Sequence, residues 1–163
     1  MLPSEKYGKL IMMIETYGDI FKMGTAAIAI TTNGIVKKDG AAVMGAGIAK
    51  AATRHYPGIA YRLGEKLLAS GNNVYLLNPE GPPPSGTTAV LSFPTKEHWR
   101  DPSRLELIER SAHQLVAWMD EYEWDTAALP QPGCGLGGLD WERQVKPVLE
   151  AIFDDRFMIS SGI

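Results

Sequence analysis

Short apolar runs alternate with segments patterned for helices, and that order restricts the chain to a layered α/β arrangement more than any other feature. The runs with strand character are residues 9–16, 26–32, 73–77, 89–93, 126–129 and 156–160. The clearest helical pattern spans 103–122, where Leu105, Ile108, Ala112, Leu115, Val116 and Met119 recur at spacings of three and four and form one apolar face. Asp101 before Pro102, or Ser103 with Glu106 as a capping box, marks its start. Two more helices are expected at about 45–55 and 59–69, divided by the breakers Pro57 and Gly58. A last helix follows Asp140, a candidate N-cap, with a kink or restart near Lys146 because Pro147 removes a backbone bond. The alternation implies an α/β fold whose mostly parallel or mixed sheet carries helices on its faces.

Composition sets the outer limits. A chain of 163 residues with 45% hydrophobic character matches a single domain over 1–163 with a substantial core. Its formal charge of −3 lacks the basic excess of a protein that grips a nucleic-acid backbone, so duplex binding is not its main task. One cysteine, Cys134, allows no internal disulfide and no cysteine-based zinc site, and a cytoplasmic location is expected. No apolar run approaches the roughly 18 residues of a membrane span, and the N-terminus lacks a signal-peptide pattern. The proline- and glycine-rich stretch 78–88 reads as an exposed excursion.

Two glycine-rich loops follow strand-like runs. "PQPGCGLGGLDW", residues 130–141, carries Gly133, Gly135, Gly137 and Gly138, and residues 31–50 carry Gly45 and Gly47 before a helical pattern. Ligands of such sheets sit beyond the carboxyl ends of the strands, and bare backbone there lets N–H groups converge on an anion without positive charge. A tight turn is the competing reading of either loop alone. The 31–50 loop, with Gly45, Gly47 and Lys50, lacks the third glycine of a dinucleotide fingerprint, and the chain has no Gly-Lys-Ser or Gly-Lys-Thr, which disfavours a nucleotide triphosphatase.

Taken together, "TYGDIF", "ITTNG", "VMGAGIAKAA" and "PGCGLGGLDW" resemble a macro domain over nearly the whole chain. The resemblance implies a three-layer α/β/α fold with a central mixed sheet and an ADP-ribose site. "LSFPTKEHWRDPSRLELIERS" narrows it to the branch of DNA ADP-ribosyl glycohydrolase antitoxins and terminal ADP-ribose protein glycohydrolases. By this resemblance Asp19 accepts from the adenine amino group and the main chain of Ile20 touches the ring. From the residues alone, Asp19 serves equally well to order a turn. Thr32 and Asn33 would lie beside the distal ribose, although Asn33 before Gly34 is also an ordinary turn signal. Met44, Gly45, Ala46, Gly47, Ile48 and Ala49 would wrap one side of the diphosphate. Pro132, Gly133, Cys134, Gly135, Leu136, Gly137, Gly138 and Leu139 would wrap the other.

The same branch includes enzymes with a lysine at the position of Lys96, which follows Thr95 at a strand end. A desolvated lysine can act as a neutral amine, attacking or deprotonating at the anomeric carbon of the distal ribose. The implied function is an ADP-ribosyl hydrolase. A non-catalytic ADP-ribose reader and an O-acetyl-ADP-ribose deacetylase are the alternatives. The expected partner is ADP-ribose or an ADP-ribosylated DNA or protein, with no cofactor, metal or membrane, and the chain is expected to be a monomer. Protein-directed relatives carry an aspartate where this sequence has Gly137; the antitoxin-like ones share its Gly-Gly form, which favours a modified nucleobase. Asp140 is the nearest substitute acid but is also a cap. Cys134 reads as a small apolar residue more readily than as a nucleophile, while His98 and Trp99 lie close enough to Lys96 to shape the distal pocket.

Overall fold

The computed structural model describes residues 11–162. Five strands, β1 (Ile14–Thr16), β2 (Ala27–Thr32), β3 (Ala89–Pro94), β4 (Ala127–Pro130) and β5 (Phe157–Ser160), form one sheet in the order β1-β5-β4-β2-β3. Every pairing is parallel, with Ala27 opposite both Ala89 and Ala127, and Ile14 opposite Met158. The helices are α1 (Gly47–His55), α2 (Ile59–Ser70), α3 (Leu105–Glu121) and α4 (Lys146–Glu150), with a short 3₁₀ turn at Ile20–Lys22.

Period-two alternation along the buried strands builds a core on each face. Ala27, Ala29, Leu91, Phe93, Ala127 and Leu129 point to one side, where Ile108, Ala112, Leu115 and Met119 of α3 and Leu149 of α4 cover them. Ile28, Ile30, Val90 and Ala128 point to the other, against Ala49 and Ala52 of α1 and Ile59, Leu63 and Leu67 of α2. The layers are therefore α/β/α.

The five-stranded sheet is parallel where a mixed one is expected, and the antiparallel component is reduced to one bridge beside β3. Residues 73–77, expected as a strand, make a single antiparallel bridge, Leu76 with Leu91. Side chains take over the rest of the pairing: Val74 N donates to Gln114 Oε1 (2.9 Å) and Tyr75 N to Ser92 Oγ (2.9 Å). Of the run 9–16, residues 14–16 form β1, and 9–10 lie outside the described residues.

Two helix starts differ from expectation. The first glycine loop enters its helix at Gly47 rather than about residue 45. The other, α3, begins at Leu105 with Arg104 as N-cap and no side-chain cap. The capping box is absent because Ser103 is drawn elsewhere: its N–H donates to Gly137 O (2.9 Å), while Glu106 pairs with Arg104 (2.8 Å). After Asp140 the expected restart occurs, as a π-helical turn at Trp141–Val145 that gives way to α4 at Lys146, with Pro147 in its first turn.

Candidate functional site

The carboxyl ends of β2, β3 and β4 open into a cavity of about 630 Å³. Three connections line it: Thr31 to Asn33 with 43–49 after β2, Thr95 to Ser103 after β3, and Pro130 to Gly137 after β4. Of the residues named from sequence, Thr32, Asn33, Met44, Gly45, Ala46, Gly47, Ile48, Ala49, Thr95, Lys96, Gly133, Gly135, Leu136 and Gly137 meet there. Asp19, Ile20, Pro132, Cys134, Gly138 and Leu139 lie outside the lining.

Asn33 holds the first loop in shape. Its Oδ1 accepts from Ile35 N (3.0 Å) and its Nδ2 donates to Val43 O (3.0 Å), so one N–H and one lone pair remain for a ligand. The following helix starts without a cap, since Ala46 at the N-cap position has no side-chain acceptor to offer. Its first N–H groups belong to residues lining the cavity and have no partner among the described residues, and Gly47 takes φ +56°, a conformation that side chains resist. An uncapped helix start inside a cavity offers the electrostatics that favour an anion.

The second loop closes on itself through Leu139 N to Gly133 O (2.9 Å) and Gly138 N to Gly135 O (3.2 Å). The N–H groups of Gly135, Leu136 and Gly137 have no partner among the described residues. Gly137 is buried, and a Cβ there would overlap Ser103 Oγ and lie 2.6 Å from Gly133 O. The loop has thus closed over the space that a side chain at this position would need.

Lys96 is half-buried and positioned by its backbone. Thr95 N donates to Thr32 O (3.0 Å), Arg104 N to Thr95 O (2.9 Å), and Asn72 Nδ2 to Lys96 O (3.1 Å). Its ammonium has no hydrogen bond or ion pair among the described residues. Among the described residues no aspartate or glutamate lines the cavity, and Lys96 is its one charged side chain. An acidic chain thus presents a site whose fixed charge is positive, beside two sets of unpartnered amides.

Outside the lining, Asp19 caps the 3₁₀ turn, its Oδ1 accepting from Phe21 N (2.9 Å), and Ile20 is buried in the core. The turn-ordering role open to Asp19 is thus realised, with its second carboxylate oxygen unengaged among the described residues. Asp140 caps the π-helical turn, accepting from Arg143 N (2.7 Å). Pro132 is buried, and Cys134 and Leu139 pack against the core under α3. Burial first, and the charge of Asp140 second, push the Cys134 thiol up to about 11. Its alkylation by iodoacetamide at pH 8 is expected to run roughly two orders of magnitude slower than for a free thiol, rising with pH towards 11. Free-thiol rates at pH 8 would overturn this picture of an inert cysteine.

Sequence reasoning missed Ser103 as a site residue because its spacing to Glu106 imitates a cap. It also missed Thr31, Val43, Pro130 and Gln131, which carry no chemical signal and reach the cavity because they border the loops. No helix of the described residues is long and apolar enough to cross a membrane, and no three His, Cys, Asp or Glu side chains among them converge.

A three-layer α/β/α domain with an amide-lined cavity at the carboxyl ends of its central strands is a ligand-binding class of fold. The model of the macro domain family matches residues 38–148, and the chain belongs to that family. It is similar to the DNA ADP-ribosyl glycohydrolase of Mycobacterium tuberculosis, 34% identical over 131 residues, covering 77% of this chain and 34% of that protein. The namesake from Thermus aquaticus is 41% identical over 66 residues, covering 39% of this chain and 18% of that one. The chain spans about a third of the first relative's length. Among solved structures, the macrodomain of Mycobacterium tuberculosis DarG superposes with a TM-score of 0.72 at 27% identity, over 91% of this chain and 97% of that one. Thermosipho africanus DarTG in complex with ADP-ribose gives 0.74 at 25% identity, over 88% of this chain and 39% of that one.

Proposed function

We propose that this macro domain binds ADP-ribose and, as a hydrolase, removes it from an ADP-ribosylated nucleobase, with Lys96 as the reacting side chain. The observation that carries the reading is the cavity with one positive side chain between two loops of unpartnered amides. In this arrangement the diphosphate lies between 44–49 and 133–139, the distal ribose reaches Asn33 and Lys96, and the adenine extends towards Asp19 and Ile20. The bond broken is the glycosidic bond at the anomeric carbon of the distal ribose. Water supplies the hydroxyl to that carbon and a proton to the released base, and Lys96 attacks the carbon or moves the proton. Two facts favour a nucleobase over a protein side chain: the names of the relatives, and the closed space at Gly137, which leaves no room for a second acid.

Calorimetry and a release assay test this. Free ADP-ribose is expected to bind with a Kd of about 1 μM or tighter, roughly −8 kcal/mol, and AMP more weakly because it lacks the distal ribose. ADP-ribose should be released from a modified DNA oligonucleotide faster than from a modified protein. No heat and no thermal shift with millimolar ADP-ribose would sink the reading. Binding without any release would reduce the domain to a reader.

A further inference from the structure

We infer that Trp99 and Arg100 form a nucleobase subsite at the cavity mouth, where the modified base stacks on the indole and an adjacent phosphate meets the guanidinium. The inference rests on the functional reading above and deepens it. Four tryptophans are present, and three of them, Trp118, Trp124 and Trp141, pack against the core. Trp118 and Trp141 also donate their indole N–H groups, to Val74 O (3.1 Å) and Glu15 Oε1 (2.9 Å). Trp99 does neither. It is 48% exposed, joins neither core cluster, and its indole N–H has no partner among the described residues. Among the described residues it is also the one aromatic side chain in the cavity lining, three positions after Lys96.

Its presentation is ordered. Asp101 N donates to His98 O (3.0 Å) and Arg100 N to His98 Nδ1 (3.1 Å), which fixes the turn, and the His98 ring leans on the indole at 5.2 Å between centroids. The Arg100 guanidinium lies 4.8 Å from the indole centroid and makes no ion pair among the described residues, unlike Arg104 and Arg156. A large aromatic held in water beside a reactive amine calls for a flat partner. A group leaving the anomeric carbon next to Lys96 shares its cavity with this exposed indole. A carboxylate or hydroxyl acceptor has no face to stack, whereas every base has one, and a cation over the ring adds to such stacking. With a net charge of −3, the contact extends to a nucleotide or two, so the substrate is an unstacked base in a single strand rather than a duplex groove.

The test uses a single-stranded oligonucleotide carrying one ADP-ribosylated base, with free ADP-ribose as the control ligand. Trp99→Ala should lower kcat/KM for the oligonucleotide tenfold or more, chiefly through KM, while affinity for ADP-ribose falls less than threefold. Trp99→Phe should recover most of the loss. Arg100→Ala should lower kcat/KM about threefold and flatten its dependence on salt. Thermal unfolding confirms that these surface variants fold. Equal losses for oligonucleotide and ADP-ribose, or no loss at all, overturn the subsite alone. A wild type that binds ADP-ribose but releases none from the oligonucleotide overturns the hydrolase reading and the subsite with it.

Discussion

Lys96→Arg is expected to slow the release of ADP-ribose from a modified oligonucleotide at least about a hundredfold, the scale of losing an acid–base or nucleophilic group. Binding of free ADP-ribose should stay within a few fold. Arginine isolates reactivity from charge: it keeps a cation in the cavity but cannot supply a neutral amine at any working pH. Lys96→Ala removes both and should match the arginine variant in rate. The backbone bonds that position this residue use the carbonyl of Lys96 and the main chain of Thr95, so neither substitution disturbs them. Single-turnover assays against calorimetry separate the effects. An arginine variant as fast as wild type would make Lys96 purely electrostatic, and catalysis would pass to a water held by the loops.

The second large effect is expected from Gly135→Glu. A Cβ at Gly135 meets nothing within 4 Å and the residue is exposed, so the substitution costs the fold little. Its carboxylate would stand at the cavity wall where the diphosphate is to lie. Two like charges about 4 Å apart at an effective dielectric of 20 repel by roughly 4 kcal/mol, about three orders of magnitude in affinity. ADP-ribose binding should disappear from a calorimetric titration while the far-ultraviolet dichroism and unfolding temperature stay near wild type. Gly47→Glu is a poorer probe because φ +56° adds backbone strain to the electrostatic effect. Retained micromolar binding by Gly135→Glu would place the anion elsewhere.

Much of the fold was legible in the chain. The runs at 26–32, 89–93, 126–129 and 156–160 became β2 to β5 within a residue or so at each end, because both faces of a covered parallel sheet demand continuous apolar sequence. The apolar spacing from Leu105 to Met119 gave α3, and Pro147 gave the break at Lys146. The segment 73–77 misled because its polar pairing uses Gln114 and Ser92, forty and seventeen positions away, and no local pattern records such partners. Ser103 misled for the same reason: a capping motif cannot show that the second glycine loop will take the serine's N–H first.

The sequence by itself determined the layered class, the two bare loops and the lysine at a strand end, since apolar periodicity and glycine placement are local properties. Only the tertiary structure decided that these meet in one cavity, free of acidic side chains among the described residues, because strand order is a matter of long-range pairing. It alone placed Ser103 against Gly137, closing the space an aspartate would fill. It alone left Trp99 in water while the other three tryptophans found the core, for burial depends on which surfaces the packed layers leave uncovered.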